Sequence, residues 1–192
     1  LVVDGEVNIT FTTPEDVDGI ITITVDGVEV EFTGANGTYT VTLNNLSAGT
    51  HTVLAWLDND TNYNAASCLE TFDISKVNIT INASADSIKA GNNATIIVQV
   101  PEDATGSVLV DIDGKKLYGE ISNGIAIVTV PDLTVGNHTA TVKFSGDDKY
   151  LEDEDTVTIT VNKTDEYQIN VTTNTPSYSE NAVISVTLPA DA

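Results

Sequence analysis

Pro101-Glu-Asp-Ala-Thr-Gly-Ser-Val-Leu-Val-Asp-Ile-Asp-Gly114 decides the fold, because the chain carries this stretch more than once. An earlier copy runs Pro14-Glu-Asp-Val-Asp-Gly-Ile-Ile-Thr-Ile-Thr-Val-Asp-Gly27, and the sequence stops inside a further one at Pro189-Ala-Asp-Ala192. In each full copy a proline and acidic residues make a polar corner and an apolar-rich strand follows. Asp-Gly then closes the strand as a two-residue hairpin turn, since this pair readily takes positive φ. A β unit copied in tandem is the expectation.

Working outward, Pro14 and Pro101, Gly37 and Gly124, His51 and His138, and Tyr63 and Tyr150 all stand 87 positions apart. Two copies therefore align without a gap. The matches fall mostly on turn residues, so topology is repeated more than surface. The first copy is expected to have strands near Glu6–Thr13, Ile20–Val25, Val28–Phe32, Thr38–Leu43, Thr50–Leu57 and Leu69–Ser75. The second adds an opening strand at Val77–Ala83, followed by strands near Ala94–Val100, Ser107–Ile112, Lys115–Ile121, Ile125–Val130, His138–Ser145 and Thr156–Asn162. Seven short strands with turn signals every eight to twelve residues or so predict an all-β chain of tandem immunoglobulin-like sandwiches, with a closed barrel as the alternative.

The expected units are residues 1–76, a repeat without its first strand; 77–163, a complete repeat; and 164–192, the opening of a third, with strands near Tyr167–Thr172 and Ala182–Leu188. The tail holds the opening strand that the first copy lacks, which admits head-to-tail strand donation between chains. It also holds a second strand that the first copy already has, an overlap that favours a window cut from a continuous array.

Seven Lys plus Arg against 29 Asp plus Glu give a formal charge of −22. Such a surface repels phosphate backbones and anionic headgroups, which argues against nucleic acid and membrane surfaces as partners. No signal peptide is visible and no apolar run is long enough to span a bilayer. With Leu at position 1, the sequence is read as cut from a longer protein. Cys68 stands alone, so an intrachain disulfide is ruled out, and its counterpart Asp155 argues against a structural role; an intermolecular link is the other reading.

The repeated Pro-Glu-Asp-x-x-Gly, (Val/Ile)-Asp-Gly, Asn-Gly, Leu-x-x-Gly-x-His-Thr and Gly-Asp-Asp-Lys-Tyr150 elements resemble tandem bacterial-type immunoglobulin-like repeats, and among these the large adhesin-like surface proteins of methanogenic archaea. The resemblance covers the whole chain. It implies an extracellular, repetitive, often glycosylated stalk or adhesive filament, and it carries over no catalytic residue. The first copy departs from the last motif, reading Asp58-Asn-Asp-Thr-Asn-Tyr63.

His51 and His138 share one repeat position with no nucleophile copied beside them, which reads as a packing or turn role and not as catalysis. Asp58, Asn59 and Asp60, the pair Asp147 and Asp148, and the run Glu152-Asp-Glu-Asp155 offer oxygen ligands suited to Ca²⁺, although none has the spacing of an EF-hand loop. Solvated loops are the competing reading, and no other cofactor is expected. Ten of the seventeen asparagines, Asn8, Asn36, Asn45, Asn59, Asn78, Asn82, Asn93, Asn137, Asn162 and Asn170, head Asn-x-Ser/Thr sites. That is about three times the number random placement gives, and it predicts N-glycosylation of several of them.

Strand alternation puts Val53, Ala55 and Leu57 inward, as it does Ala140, Val142 and Phe144. Leu54 and Trp56 then point outward where the sister repeat has Thr141 and Lys143, as an exposed patch or lateral interface requires. Local packing under a loop is the alternative. The expected function is a non-enzymatic, cell-surface stalk or filament segment whose partners are other copies, neighbouring repeats or surface glycans. Two rivals remain: a carbohydrate-binding sandwich, and an accessory domain of a larger secreted enzyme.

Overall fold

Asp26-Gly27, Asn36-Gly37, Asp113-Gly114 and Asn123-Gly124 place both residues at positive φ, 49–55° for the first and 74–80° for the second. This is the mirror-image turn whose twist matches that of paired strands. Each joins strands directly across two residues, with Val25 opposite Val28, Ala35 opposite Thr38, Ile112 opposite Lys115 and Ser122 opposite Ile125. The turn chemistry of the repeat thus fixes the register from which the sheets grow.

The computed structural model describes residues 1–58, 60–164 and 169–187. The first repeat comprises β1 (Val7–Thr12), β2 (Ile20–Val25), β3 (Val28–Glu29), β4 (Thr33–Ala35), β5 (Thr38–Leu43), β6 (Gly49–Asp58) and β7 (Ala66–Ile74). They form two antiparallel layers, β1-β5-β4 and β3-β2-β6-β7. The second repeat comprises β8 (Asn82–Ala85), β9 (Ile88–Lys89), β10 (Ala94–Gln99), β11 (Ser107–Ile112), β12 (Lys115–Ser122), β13 (Ile125–Val130), β14 (Gly136–Phe144) and β15 (Asp153–Asn162). Its order runs β8-β10-β13-β12-β11-β14-β15-β9. β12 belongs to both layers, pairing with β11 along Lys115–Glu120 and with β13 at Ile121 and Ser122. A final hairpin joins β16 (Asn170–Thr173) to β17 (Ile184–Thr187). Tyr167 and Leu188, at the ends of the expected tail strands, and Pro189 lie outside the described residues. No helix among the described residues is long and apolar enough to cross a membrane.

Two strands differ from expectation. The return strand expected at Val28–Phe32 stops at Glu29 as β3, and strand pairing resumes only beyond it in β4, whereas the matching β12 is continuous. The cause is the residue at the crossing between layers. Gly119 is buried, and a Cβ there would lie 2.7 Å from Val128 Cγ2 and 3.2 Å from the Ile127 carbonyl oxygen, so only hydrogen fits. Phe32 occupies that position in the first repeat and instead packs edge-on against Phe11 and Tyr39, at ring-centroid distances of 5.5 and 5.6 Å. The opening strand expected at Val77–Ala83 begins later, at Asn82. Just before it the Ile81 amide donates to Asp153 Oδ2 at 2.8 Å, and within it the Ala83 amide donates to Asp155 Oδ2 at the same distance. Carboxylates of the opposite layer, not a neighbouring strand, satisfy these amides.

The cores are unequal. The second repeat buries a cluster of eighteen residues around Ile96, Val98, Val110, Val128, Val142, Phe144 and Ile159, whereas Ile23, Val25, Val41 and Val53 form that of the first. In the second, Ile81 is buried and Ile79, Ala83 and Ala85 pack against the cluster, closing the gap between layers. The first has no such segment, and β1 is an edge strand on the side where its counterpart β10 is covered by β8. A trough of about 740 Å³ stays open there, lined by Ile9, Phe11, Val53, Ala55, Cys68 and Phe72 among others.

The joint between repeats is short and braced. The Val77 amide donates to the Lys149 carbonyl at 2.8 Å, and the Leu151 amide donates to the Val77 carbonyl at 3.0 Å. Lys149 Nζ lies 2.6 Å from both Asp103 Oδ2 and Asp4 Oδ2, and Lys76 Nζ donates to the Asp147 carbonyl oxygen.

Candidate functional site

The two histidines build one device twice. His51 Nδ1 donates to Asp26 Oδ2 at 2.6 Å and Nε2 to the Ser47 carbonyl at 2.9 Å. His138 does the same with Asp113 Oδ2 at 2.6 Å and the Thr134 carbonyl at 2.7 Å. Asp26 Oδ1 also accepts the Thr52 amide at 2.8 Å. Both rings are buried, and both nitrogens of each face acceptors, a pattern satisfied in full only by the doubly protonated imidazolium. The Asp26 hydrogen bond, then the Ser47 carbonyl, raise the pKa of His51; the Thr134 carbonyl, then Asp113, raise that of His138. His51, then the Thr52 amide, hold Asp26 below the usual carboxylate range. With both ring nitrogens engaged in holding a hairpin turn against the corner that precedes β6 or β14, neither ring is available as a general base.

Two of the acidic residues that offered Ca²⁺ ligands, Asp60 and Asp147, are engaged by backbone amides of their own loop and of the loop facing it. Asp60 Oδ2 accepts the Asp18 and Gly19 amides at 2.9 Å, and its Oδ1 accepts the Asn62 and Tyr63 amides at 2.8 Å. Asp147 Oδ2 accepts the Thr105 amide at 2.8 Å, while Oδ1 takes Lys149 and Tyr150 at 2.9 and 2.7 Å. Partial burial pushes both carboxyls up, but the amide donors outweigh it and hold them below the ordinary value. A tyrosine buckles each loop: Tyr63 Oη donates to Asp16 Oδ1 at 2.8 Å, and Tyr150 Oη to Asp103 Oδ1 at 2.6 Å. The first repeat keeps this knot although it lacks the Gly-Asp-Asp-Lys-Tyr spelling. Glu152 pairs with Lys143 at 2.9 Å. Among the described residues no group of three or more His, Cys, Asp or Glu side chains is placed to hold a metal ion.

Leu54 and Trp56 lie on the outer face of the β3-β2-β6-β7 layer, and Trp56 is 50% exposed. With Ile20, Thr22, Thr24 and Asp58 they line a shallow depression of about 320 Å³. The register adds Leu69, directly opposite Leu54 and 63% exposed. Sequence alternation alone did not bring in Ile20 and Leu69, because their membership depends on which strands pair. The same holds for a second patch: Ile97 lies opposite Ile127, with Ile125 beside them, on the outer face of β10 and β13. Thr10, Thr40 and Thr38 take those places in the first repeat.

Nine of the ten candidate glycosylation asparagines, Asn8, Asn36, Asn45, Asn78, Asn82, Asn93, Asn137, Asn162 and Asn170, are exposed; Asn59 lies outside the described residues. Exposed Cys68 sits on β7 at the trough, where Asp155 holds the opening segment of the second repeat.

Residues 81–162 match the family model of the bacterial Ig-like domain (group 3). The two-layer arrangement, without a helix among the described residues, is accordingly an immunoglobulin-like β-sandwich. Among solved structures, the chain is similar to the Clostridium thermocellum CbhA fibronectin(III)-like modules, with 16% identity over 84% of this chain and 87% of that one, at a TM-score of 0.39. It is also similar to the titin domains Z1Z2 in complex with telethonin, with 11% identity over 85% and 91%, at a TM-score of 0.47.

Proposed function

We propose, taking the bacterial Ig-like match of residues 81–162 as premise, that the chain is a non-enzymatic segment of an extracellular stalk or surface filament of the adhesin-like kind. The observation that carries this reading is the repetition of one mechanical plan. Each unit is tied by the same imidazolium clamp and the same Asp-centred loop, and the joint between them is crossed by the Lys149–Asp4 ion pair and by the Lys76 hydrogen bond to the Asp147 carbonyl oxygen. A joint this short restricts bending, so reach grows with each added unit. Bacterial Ig-like units of methanogen adhesin-like proteins are the specific relatives this reading points to.

Sugars on several of the ten asparagines, with the −22 charge, would keep such rods soluble and apart. The Leu54 and Trp56 face is the surface offered to other copies or neighbouring repeats. Glycopeptide mapping of material from the native source should find sugar at several sites, and peptides all at unmodified mass would refute the glycosylated form of the proposal. Trp56→Lys should leave folding within about 0.5 kcal/mol, as exposed substitutions usually do, yet weaken lateral association. Collapse of the fold would instead assign Trp56 to packing.

A carbohydrate-binding role is the second reading, favoured by one observation: a half-exposed Trp beside Asp58 and two threonines in a shallow depression. Glycan binding that disappears in Trp56→Ala would promote it, and no binding to a glycan array would retire it.

A further inference from the structure

The isoleucine patch on the outer face of β10 and β13 lies wholly within the second repeat, and a candidate glycosylation site stands beside it. Ile97, Ile125 and Ile127 are 40%, 44% and 61% exposed. Strand pairing sets them in two rows, Asn82, Gln99 and Ile125 in one and Ser84, Ile97 and Ile127 in the next. Thr95 and Thr129, opposite each other, border the second row, and Ser122 lies opposite Ile125. None of these side chains ionises, in a chain of formal charge −22. Exposed apolar surface rimmed by polar groups marks a contact, and its neutrality fits an uncharged occupant.

Asn82 heads the site Asn82-Ala-Ser84 on β8, the edge strand of this layer, and shares the face of the isoleucines. Its side chain makes no hydrogen bond to a described residue, whereas that of Asn8 is held by Glu6 and Thr42. Of the ten candidate sites, this one alone recurs at its own repeat position, as Asn170-Val-Thr172 88 positions later. Strands about 4.8 Å apart, with about 6.8 Å between alternate residues, put Ile97 about 8 Å from Asn82 along the diagonal, within reach of one or two sugar rings.

We infer that Asn82 carries an N-linked sugar whose apolar ring face rests on Ile97 and its neighbours Ile125 and Ile127. Attachment joins Asn82 Nδ2 to the anomeric carbon of a sugar activated as a glycosyl phosphate ester. The C–N bond forms as the C–O bond to phosphate breaks; the phosphate leaves with that electron pair, and an amide proton passes to a base of the transferring enzyme. A neutral pyranose supplies both halves of the match, C–H groups for the isoleucine side chains and hydroxyls for Gln99, Ser122 and Thr129. Tethering gives it a high effective concentration, so contacts too weak to hold a free sugar suffice. At Asn170 the place of Ile97 is taken by Ser185, and a sugar there lacks this floor.

The inference rests on the glycosylated reading above and narrows it to one asparagine and the surface its sugar covers. Its test compares wild type, Asn82→Gln and Asn78→Gln, all produced in the native source. Glycopeptide mapping should find Asn82 modified, and nuclear Overhauser contacts should join its sugar to the Ile97 methyl groups. Both should vanish in Asn82→Gln, which should bind more of an apolar dye than the wild type while circular dichroism stays unchanged. Asn78→Gln should alter neither the contacts nor the dye binding. Adding Ile97→Thr and Ile127→Thr to Asn82→Gln should return dye binding to the wild-type level. Sugar at other asparagines with Asn82 bare overturns this inference and leaves the glycosylated reading standing, whereas bare asparagines throughout overturn both. A modified Asn82 whose sugar touches no isoleucine, and whose loss leaves dye binding unchanged, also overturns it. Self-association of a protein bare at Asn82, abolished by Ile97→Thr/Ile127→Thr, would give the patch to a second copy instead.

Discussion

Ile9 and Ile96 are the same residue at the same repeat position, so truncating each isolates what the missing strand costs. Ile96 is 0% exposed, lies under β8 and sits in the eighteen-residue core; Ile9 is half-buried and lines the open trough. Ile→Ala removes three carbons, about 2.4 kcal/mol of transfer free energy at about 0.8 kcal/mol each, when burial is complete. At Ile96 the hole left behind is enclosed, which brings the expected cost to about 3–4 kcal/mol. At Ile9 roughly half the transfer is at stake and solvent already reaches the site, so the expected cost is about 1 kcal/mol. Thermal unfolding followed by circular dichroism, with fluorescence of the single tryptophan Trp56 reporting on the first repeat, should show two transitions. Units of this size shift by about 4–8 °C per kcal/mol, so Ile96→Ala should lower one transition by well over 10 °C and Ile9→Ala the other by about 4–8 °C. Equal shifts, or a larger one at Ile9, would refute the claim that the first repeat lacks its cover.

The clamps predict a pH window. Because His51 and His138 are raised above their ordinary value, their stabilisation is complete below about pH 6.5 and is lost as pH climbs through the higher folded value; because Asp26 is lowered, its contribution is present above its ordinary value and is lost as pH falls through the folded one. Melting temperatures of the wild type should therefore decline more steeply above pH 6.5 than those of His51→Gln/His138→Gln, and a wild type that gains on the variant over that range contradicts the assignment. Lys149→Ala removes the ion pairs to Asp4 and Asp103 and should loosen the joint without unfolding either repeat. Small-angle scattering should register a broader distribution of interdomain distances, with high salt moving the wild type towards the variant; an unchanged distribution rules out Lys149 as the brace.

Much of this architecture was legible because turns are local. Asp26-Gly27 and Asn123-Gly124 specify their backbone from two residues, and strand alternation correctly faced Trp56 outward and Phe144 inward. Less legible were features that depend on partners far along the chain. The histidines could be read as structural, but their double-acceptor environment arises only when Asp26 meets Ser47 across the fold. The acidic clusters looked like candidate cation ligands because composition does not reveal that Asp60 and Asp147 are occupied by four and three backbone amides.

By itself the sequence determined the period, the turns and the alternation of each strand, since all three follow from backbone preferences acting over a few residues. Tertiary structure alone decided which side chains meet across the sandwich. Gly119 leaves no room for a Cβ because β12 passes close to Val128, and the carboxylates of Asp60 and Asp147 are taken up because amides far along the chain are brought to them. Such contacts are properties of residues brought together by the fold, and a linear reading of the chain does not contain them.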